Sequence, residues 1–260
     1  MASLIAIENN EWALVEDLFD PPGRPGAPAR HSRREIVDAI LFIARTGCQW
    51  RYLPDRYPPW EAVWQHWRRW RDNGAWEKAM ARLAHVIRAR PKRQPQPSMV
   101  MIDAQTVRGG RFGPTSHNAG GRGGRTVGAK RSILVEILGL PLAVHVDPAK
   151  PHDVRSGRDL LRAELPSLPN LTAIVADRGY QGLAALAVSN SLRLDIKRPP
   201  NGSSGFTPIA PLYKVEHAFA RLGRWRRLSR CYEGSEASAR AWLAVASTGY
   251  LLTRLRTTPP

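Results

Sequence analysis

Cysteine is nearly absent: Cys48 and Cys231 are the only two in 260 residues. They are too few and too far apart in sequence for a disulfide framework or a Cys-x-x-Cys metal pair, so reduced structural thiols are expected and zinc is not. Long hydrophobic runs are also missing. None approaches the roughly 18–20 residues of a membrane span, and no signal-peptide pattern opens the chain. The expectation is a cytoplasmic protein with no membrane partner. Acidic residues are scarce, at 22 against 39 Lys plus Arg, for a formal charge of +17 and a pI near 11.0. A balance of this sign and size favours a polyanionic partner, because each neutralised phosphate releases counterions. A ribosomal-type or membrane-surface protein could share it.

What is present changes character near residue 91. Seven of the nine tryptophans lie before that point, and Pro91 to Ser98 is a proline-rich polar stretch with the composition of an extended linker. We read residues 1–90 as a helical domain, 91–98 as a linker and 99–257 as a second domain. Helices are predicted at about 10–19, 32–46, 59–73 and 75–89. In the third, Trp60, Trp64, Trp67 and Trp70 form a stripe at i, i+4, i+7 and i+10, a spacing more typical of a small core than of a base-stacking platform. Arg68, Arg69 and Arg71 project away from most of that stripe and are left for phosphate. A small all-helical unit with a basic helix is helix-turn-helix-like, although no unique signature of that motif is present.

After the linker, strands are predicted at Met99–Ala104, Ser132–Leu138 and Leu140–Val146, the last two as a hairpin about Gly139. A helix over 152–165, a strand over 171–176, a short helix over 182–189 and a strand over 192–197 follow. Helices over about 212–231 and 235–255 close the chain. Three antiparallel strands, then alternation, then helices is an α+β or α/β order.

Three carboxylates stand out against this frame. Asp103 and Asp177 each follow an apolar, largely β-branched run, the pattern of a buried strand. Glu216 opens an amphipathic helical pattern from Val215 to Cys231. Acids after strands are commonly solvated turn residues or helix caps, and Glu136, Asp147, Asp153 and Asp195 compete for any role; Asp153 reads as the cap of the helix after His152. Yet two strand-end aspartates and a helical glutamate are the oxygen donors that a pair of hard divalent cations requires. From Ala104 to Arg131 there is no acid but eight glycines and six basic residues. By composition this is a surface loop. Placed directly after Asp103, its Arg122, Arg125, Lys130 and Arg131 could also close on DNA. On a continuous helix Arg227 returns to within roughly 20° of Glu216 and Arg230 to within about 40°, roughly 16 and 21 Å along the axis. With Arg224 they could form a backbone track.

These segments resemble the IS5-type transposases of the wider IS4-like DDE group, almost from end to end. The resemblance is carried by Glu11-Trp-Ala-Leu, by Ile40-Leu-Phe-Ile-Ala-Arg-Thr-Gly-Cys-Gln-Trp-Arg-Tyr-Leu-Pro54 and by Pro58-Pro-Trp-Glu-Ala-Val. Later it is carried by Ile102-Asp-Ala-Gln-Thr-Val, Ile137-Leu-Gly-Leu-Pro-Leu-Ala-Val, Ala176-Asp-Arg-Gly-Tyr and Val215-Glu-His-Ala-Phe. It implies a ribonuclease-H-like catalytic domain with Asp103, Asp177 and Glu216 as the metal-binding triad. Two Mg²⁺ or Mn²⁺ ions are implied, with inverted-repeat ends and target DNA as double-stranded partners and a homo-oligomer, a dimer, on DNA. Bound to DNA, the protein would sit at the nucleoid. The sequence departs from the group around the glutamate: Ile209 and Leu212 stand where Tyr and Arg are common, and Arg224 lies one residue beyond the usual base. Asn118 replaces a frequent Asp. A transposase-derived repressor that no longer cuts, and a metal-dependent nuclease without strand transfer, are the rival readings; the intact triad argues against the first.

Overall fold

A computed structural model describes residues 6–21, 30–90, 92–112, 127–198 and 209–258. The first region holds α1 (Asn9–Trp12), α2 (Glu16–Phe19), α3 (Arg33–Thr46), α4 (Trp60–Asp72) and α5 (Ala75–Ala89). The single helix expected over 10–19 is thus two short ones. The apolar face of α3 is buried through Ile36, Ala39, Ile40 and Ile43, and Gly47 ends the helix in the left-handed conformation at φ 71°. A Cβ there would also lie 3.1 Å from the Arg226 Cβ. Glycine therefore both stops α3 and lets the later chain approach it.

The tryptophan stripe on α4 divides. Trp67 and Trp70 are buried, and Trp70 donates Nε1–H to the Phe19 carbonyl at 3.2 Å. Trp64 is 36% exposed and carries the Arg68 guanidinium 4.8 Å above its ring. Trp60 carries Arg51 in the same way, at 5.7 Å. Half of the stripe is core and half is a cation-bearing surface.

The sheet is built from β1 (Met99–Arg108), β2 (Gly128–Glu136), β3 (Pro141–Pro148), β4 (Ala173–Asp177) and β5 (Arg193–Lys197), in the order β3-β2-β1-β4-β5. The first three pair antiparallel, while β4 and β5 run parallel to β1. Around the sheet lie α6 (Asp153–Glu164), α7 (Ala184–Ser189), α8 (Tyr213–Leu222) and α9 (Glu236–Thr257). This order and sense, with crossover helices between the parallel strands, is a ribonuclease-H-like mixed sheet.

Helix α9 joins the two ends of the chain. It packs on α3, α4, α5, α8 and β3, and fifteen of its 22 residues are buried. Its Trp242 stacks on Trp67 at 5.2 Å and meets Trp50 at 5.7 Å. Arg256, at its far end, forms an ion pair with Glu11 at 2.7 Å. Glu11 is 1% exposed and also accepts from the Glu8 backbone N–H at 2.8 Å, which accounts for an acid in the opening Glu-Trp-Ala-Leu segment. The buried pair of Arg88 from α5 and Glu136 from β2 makes a second tie. The proline-rich stretch folds back on α5, where the Gln94 carbonyl accepts from Arg88 Nε at 2.8 Å. One hydrophobic core thus runs from the first helices to the sheet.

Candidate active site

Parallel pairing of Met101 with Val175 sets the register of β1 and β4. Two residues further along each strand, Asp103 and Asp177 fall level and on the same face. Strand β1 does not end at Ala104, as the sequence led us to expect; it continues to Arg108 because β2 keeps pairing with it. Asp103 becomes reachable instead because β4 stops at Asp177. Ile102 points toward α6, where it would lie 3.0 Å from a Cβ on Gly157. The alternate face, carrying Gln105 and Val107, meets Phe219 and Leu222 of α8. Helix α8 packs on β1 and β2 and holds Glu216 in its first turn. The third acid therefore approaches from the side to which the aspartates point.

The electrostatics agree with this placement. Burial, first of all, pushes the Asp103 carboxyl up to about 7; its own neighbour, the Ala104 N–H, opposes the shift, and Asp177, Asp153 and Glu216 add to it. Asp177 is exposed and accepts from the Gly179 N–H at 2.8 Å, capping the 3₁₀ turn Arg178–Leu183. Tyr180, from the same turn, is buried with no hydrogen-bond partner for its hydroxyl. Burial and then Asp103, Asp153 and Asp177 hold that phenol well above its ordinary range. A proton-bearing hydroxyl beside a cluster of acids is a donor in waiting, and nothing in the sequence pattern beyond its place after Asp177 marked it.

Asp153 is the acid that sequence reasoning assigned to the wrong task. The cap of α6 is His152, whose Nδ1 accepts from the Val154 N–H at 3.3 Å. Asp153 is left free to turn toward the sheet, where it forms an ion pair with Lys130 Nζ at 2.5 Å. The other rivals are engaged elsewhere. Glu136 lies against Arg88, Asp147 pairs with His145 at 3.0 Å, and Asp195 pairs with Lys197 at 2.8 Å.

Among the described residues, no three His, Cys, Asp or Glu side chains converge closely enough to hold a metal ion. The donor set nonetheless fits one kind of ion. It is all carboxylate oxygen, which suits Mg²⁺ or Mn²⁺ and not zinc, and the half-buried Asp103 forms no ion pair with a cation among the described residues, its charged neighbours being Asp177, Asp153 and Glu216.

The basic residues expected to meet DNA divide into two groups. Lys130 is buried, with its ammonium on Asp153 and on the Pro151 carbonyl. Arg131 is buried and donates to the carbonyls of Leu228 at 2.7 Å and Arg230 at 3.4 Å. Arg227 pairs with Glu233 at 2.6 Å and lies over Trp242. Arg71 pairs with Asp72 at 2.7 Å and donates to Ser238 Oγ at 3.2 Å. These four are engaged by partners within the fold, Lys130 and Arg131 as buried braces and Arg71 and Arg227 half-buried. Arg68, Arg69, Arg224 and Arg230 are exposed. Arg122 and Arg125, with the middle of the glycine-rich loop, lie outside the described residues.

The continuous helix expected from Val215 to Cys231 is also corrected. Helix α8 ends at Leu222, and a 3₁₀ turn over Arg226–Leu228 follows. Between them the chain becomes extended at Trp225 to bury its ring against Gly249 of α9, where a Cβ would lie 2.1 Å from the Trp225 Cη2. Arg224, Arg227 and Arg230 therefore share no helical face with Glu216. The strand-like Cys231 is instead strapped to the end of β1, donating to the Arg108 carbonyl at 2.8 Å and accepting from the Gly110 N–H at 2.9 Å. Gly109 makes this possible at φ 92°, and a Cβ on it would lie 2.0 Å from the Cys231 carbonyl oxygen. Gly109→Ala is expected to cost at least about 3 kcal/mol through strain and displaced backbone. A urea midpoint equal to that of the parent would show that this strap contributes little.

The chain is a mixed-sheet protein whose second half matches a DDE domain. Residues 7–80 match the transposase family described as IS4/5, and residues 94–196 match the transposase DDE domain. The protein y4sN of Sinorhizobium fredii is 32% identical over 123 residues, which are 46% of this chain and 87% of that protein. The 16.2 kDa protein of insertion element IS402 from Burkholderia cepacia is 32% identical over 108 residues, 39% of this chain and 72% of that protein. The chain belongs to the IS4/5 family of insertion-sequence transposases. Among solved structures, a pre-cleavage Mos1 transpososome aligns at TM-score 0.24 and 9% identity, over 93% of this chain and 82% of that one. A Mos1 mariner paired-end complex with Mn aligns at TM-score 0.27 and 11% identity, over 90% and 81%. At such scores the superposition locates no residue. No helix among the described residues is long and apolar enough to cross a membrane.

Proposed function

We propose that this transposase cuts and joins the inverted-repeat ends of its own element with Asp103, Asp177 and Glu216 as metal-holding carboxylates. The observation that carries the reading is the register of β1 and β4, which sets the two aspartates level on the face that α8 covers. The role of the two aspartates is to fix oxygen ligands on a rigid sheet rim, one half-buried and one exposed. Glu216 brings a third ligand on a separate element, so helix and sheet must be correctly docked before the set is complete. When bound, Mg²⁺ or Mn²⁺ would supply Lewis-acid polarisation of the scissile phosphate and a more acidic water. Water attacks phosphorus and the bond to the 3′ oxygen breaks, leaving a 5′ phosphate and a 3′-hydroxyl. In the second displacement that hydroxyl attacks a target phosphodiester, and a new 3′ oxygen leaves. No covalent enzyme intermediate is required, so no serine or tyrosine nucleophile is invoked.

Holding two ends at once calls for two copies of the chain on DNA. Residues 1–90 are the proposed DNA-recognition part, with Arg68 and Arg69 exposed on α4. The test is cleavage of duplexes bearing the element's terminal repeats, with Mg²⁺, Mn²⁺ or Ca²⁺. The expected product is a nick with a 3′-hydroxyl at the repeat terminus in the first two ions only. Equal cutting of scrambled ends would reduce the protein to a nuclease, and no cutting in either ion would overturn the proposal.

A further inference from the structure

Four arginines surround one cavity on the side of the molecule where α3, α8 and α9 meet. The cavity measures about 240 Å³ and is lined by Arg45, Arg221, Arg224 and Arg254 with Trp225 and Tyr250, and by no acidic residue. The four come from distant parts of the chain: the last turn of α3, the end of α8 and the segment after it, and the last turns of α9.

Their contacts leave the charge uncompensated. Arg45 donates to the Arg224 carbonyl at 3.1 Å and lies 5.5 Å from the Trp225 ring centroid. Arg254 donates to the Tyr250 hydroxyl at 3.0 Å, and Arg221 lies 5.6 Å from the Tyr250 ring centroid. Carbonyls, a hydroxyl and ring faces orient guanidinium groups without neutralising them. Among the described residues none of the four is paired with a carboxylate in the ion pairs on which the other arginines of the fold depend. Four positive charges drawn together with no acid repel one another, and the repulsion is relieved by an anion. Trp225 and Tyr250 are buried, so no ring face is left to receive a nucleobase. Arginine's planar fork matches phosphate oxygens in pairs.

We infer that this cavity is a phosphate-binding site, and that its occupant is a backbone phosphodiester of DNA. It is separate from the acid cluster. Arg221 follows Glu216 by five residues on α8, which places it about 7.5 Å along the axis and about 140° around it. A strand held here passes over the junction of α3 with α8 and α9, so binding ties the first helices to the helix that bears Glu216. The identity of the phosphate as DNA rests on the proposed function; its capture by the cavity does not.

The test uses the full chain, an Arg45→Gln/Arg254→Gln double variant and Thr257→Glu. Thr257 lines the same cavity and is exposed, so the added carboxylate fills the anion's place with every arginine retained. Affinity for a short duplex of unrelated sequence is measured across a salt series, and melting is measured with and without inorganic phosphate. Both variants are expected to bind the duplex about tenfold more weakly at low salt, as for one lost charge-assisted contact. The slope of log affinity against log salt is expected to shrink by about one phosphate's worth. Phosphate is expected to raise the melting temperature of the parent and not that of Thr257→Glu. Should the double variant fail to fold, Thr257→Glu decides. Unchanged duplex affinity and slope overturn the inference, and a phosphate effect without a duplex effect overturns the DNA assignment by making this a free-anion site. A parent that binds duplex through this cavity yet never cuts repeat ends would sink the proposed function and leave this inference standing.

Discussion

Asp103→Asn is expected to lower metal-dependent cleavage of repeat-end DNA at least about a thousandfold, since the amide keeps the shape but loses the charge that holds a hard cation. The same change is expected to stabilise the metal-free protein above neutral pH. The folded carboxyl titrates at about 7 against an ordinary 3.8. The folded state therefore holds its proton more tightly, and stability present at low pH is lost as pH rises from about 4 through 7. An amide has nothing to lose over that interval. The full interval corresponds to roughly 4 kcal/mol, and the cost of burying an amide offsets part of it, so a gain of about 2 kcal/mol near pH 8 is expected. Chemical denaturation in EDTA at pH 5 and pH 8 tests this. A gain that is the same at both values would remove the titration of Asp103 as its cause, and wild-type cleavage by the variant would remove Asp103 from the site. An acid that weakens the fold and is indispensable to activity is what a metal ligand on a sheet rim should be.

Trp242→Ala carries the largest expected cost in stability, about 3–5 kcal/mol. Its ring is 1% exposed and sits among Trp50, Trp67 and the Arg227 guanidinium. The void would lie where α9 meets the first helices, so the loss is expected in one cooperative transition covering tryptophan fluorescence and sheet signal alike. Two separated transitions, with only the fluorescence one shifted, would show that the proline-rich stretch divides two independently folding units. A domain boundary at 91–98 would then be structural as well as compositional.

The elements were legible in the sequence wherever periodicity was strong. Helix α5 lies at the residues its pattern gave, α3 and α4 are within a residue or so, and the hairpin turns at Gly139. Local rules missed what neighbours decide. Helix α8 is short because Trp225 gains more by burial against Gly249 than by continuing the helix, and no window around residue 225 contains residue 249. The two short helices ending at Phe19 likewise accompany a long-range contact, Trp70 and Trp76 packing on that ring at 4.9 and 4.8 Å.

For the site, the sequence by itself determined the chemistry. Carboxylates after apolar runs, a surplus of arginine and the near absence of cysteine favour oxygen ligands over thiolate and a polyanionic partner over a neutral one, because charge and donor type belong to the residue wherever it lands. Which charges are free to act was decided only by the tertiary structure. Lys130, Arg131 and Arg227 read as surface cations, yet they are consumed as braces, while Arg45 and Arg254, in no basic run of their own helices, meet Arg221 and Arg224 around one cavity. Asp153 passed from helix cap to a member of the acid cluster in the same way. A side chain's charge is a local property; its burial and its partners are set by residues far along the chain, 245 positions away for Arg256 and Glu11.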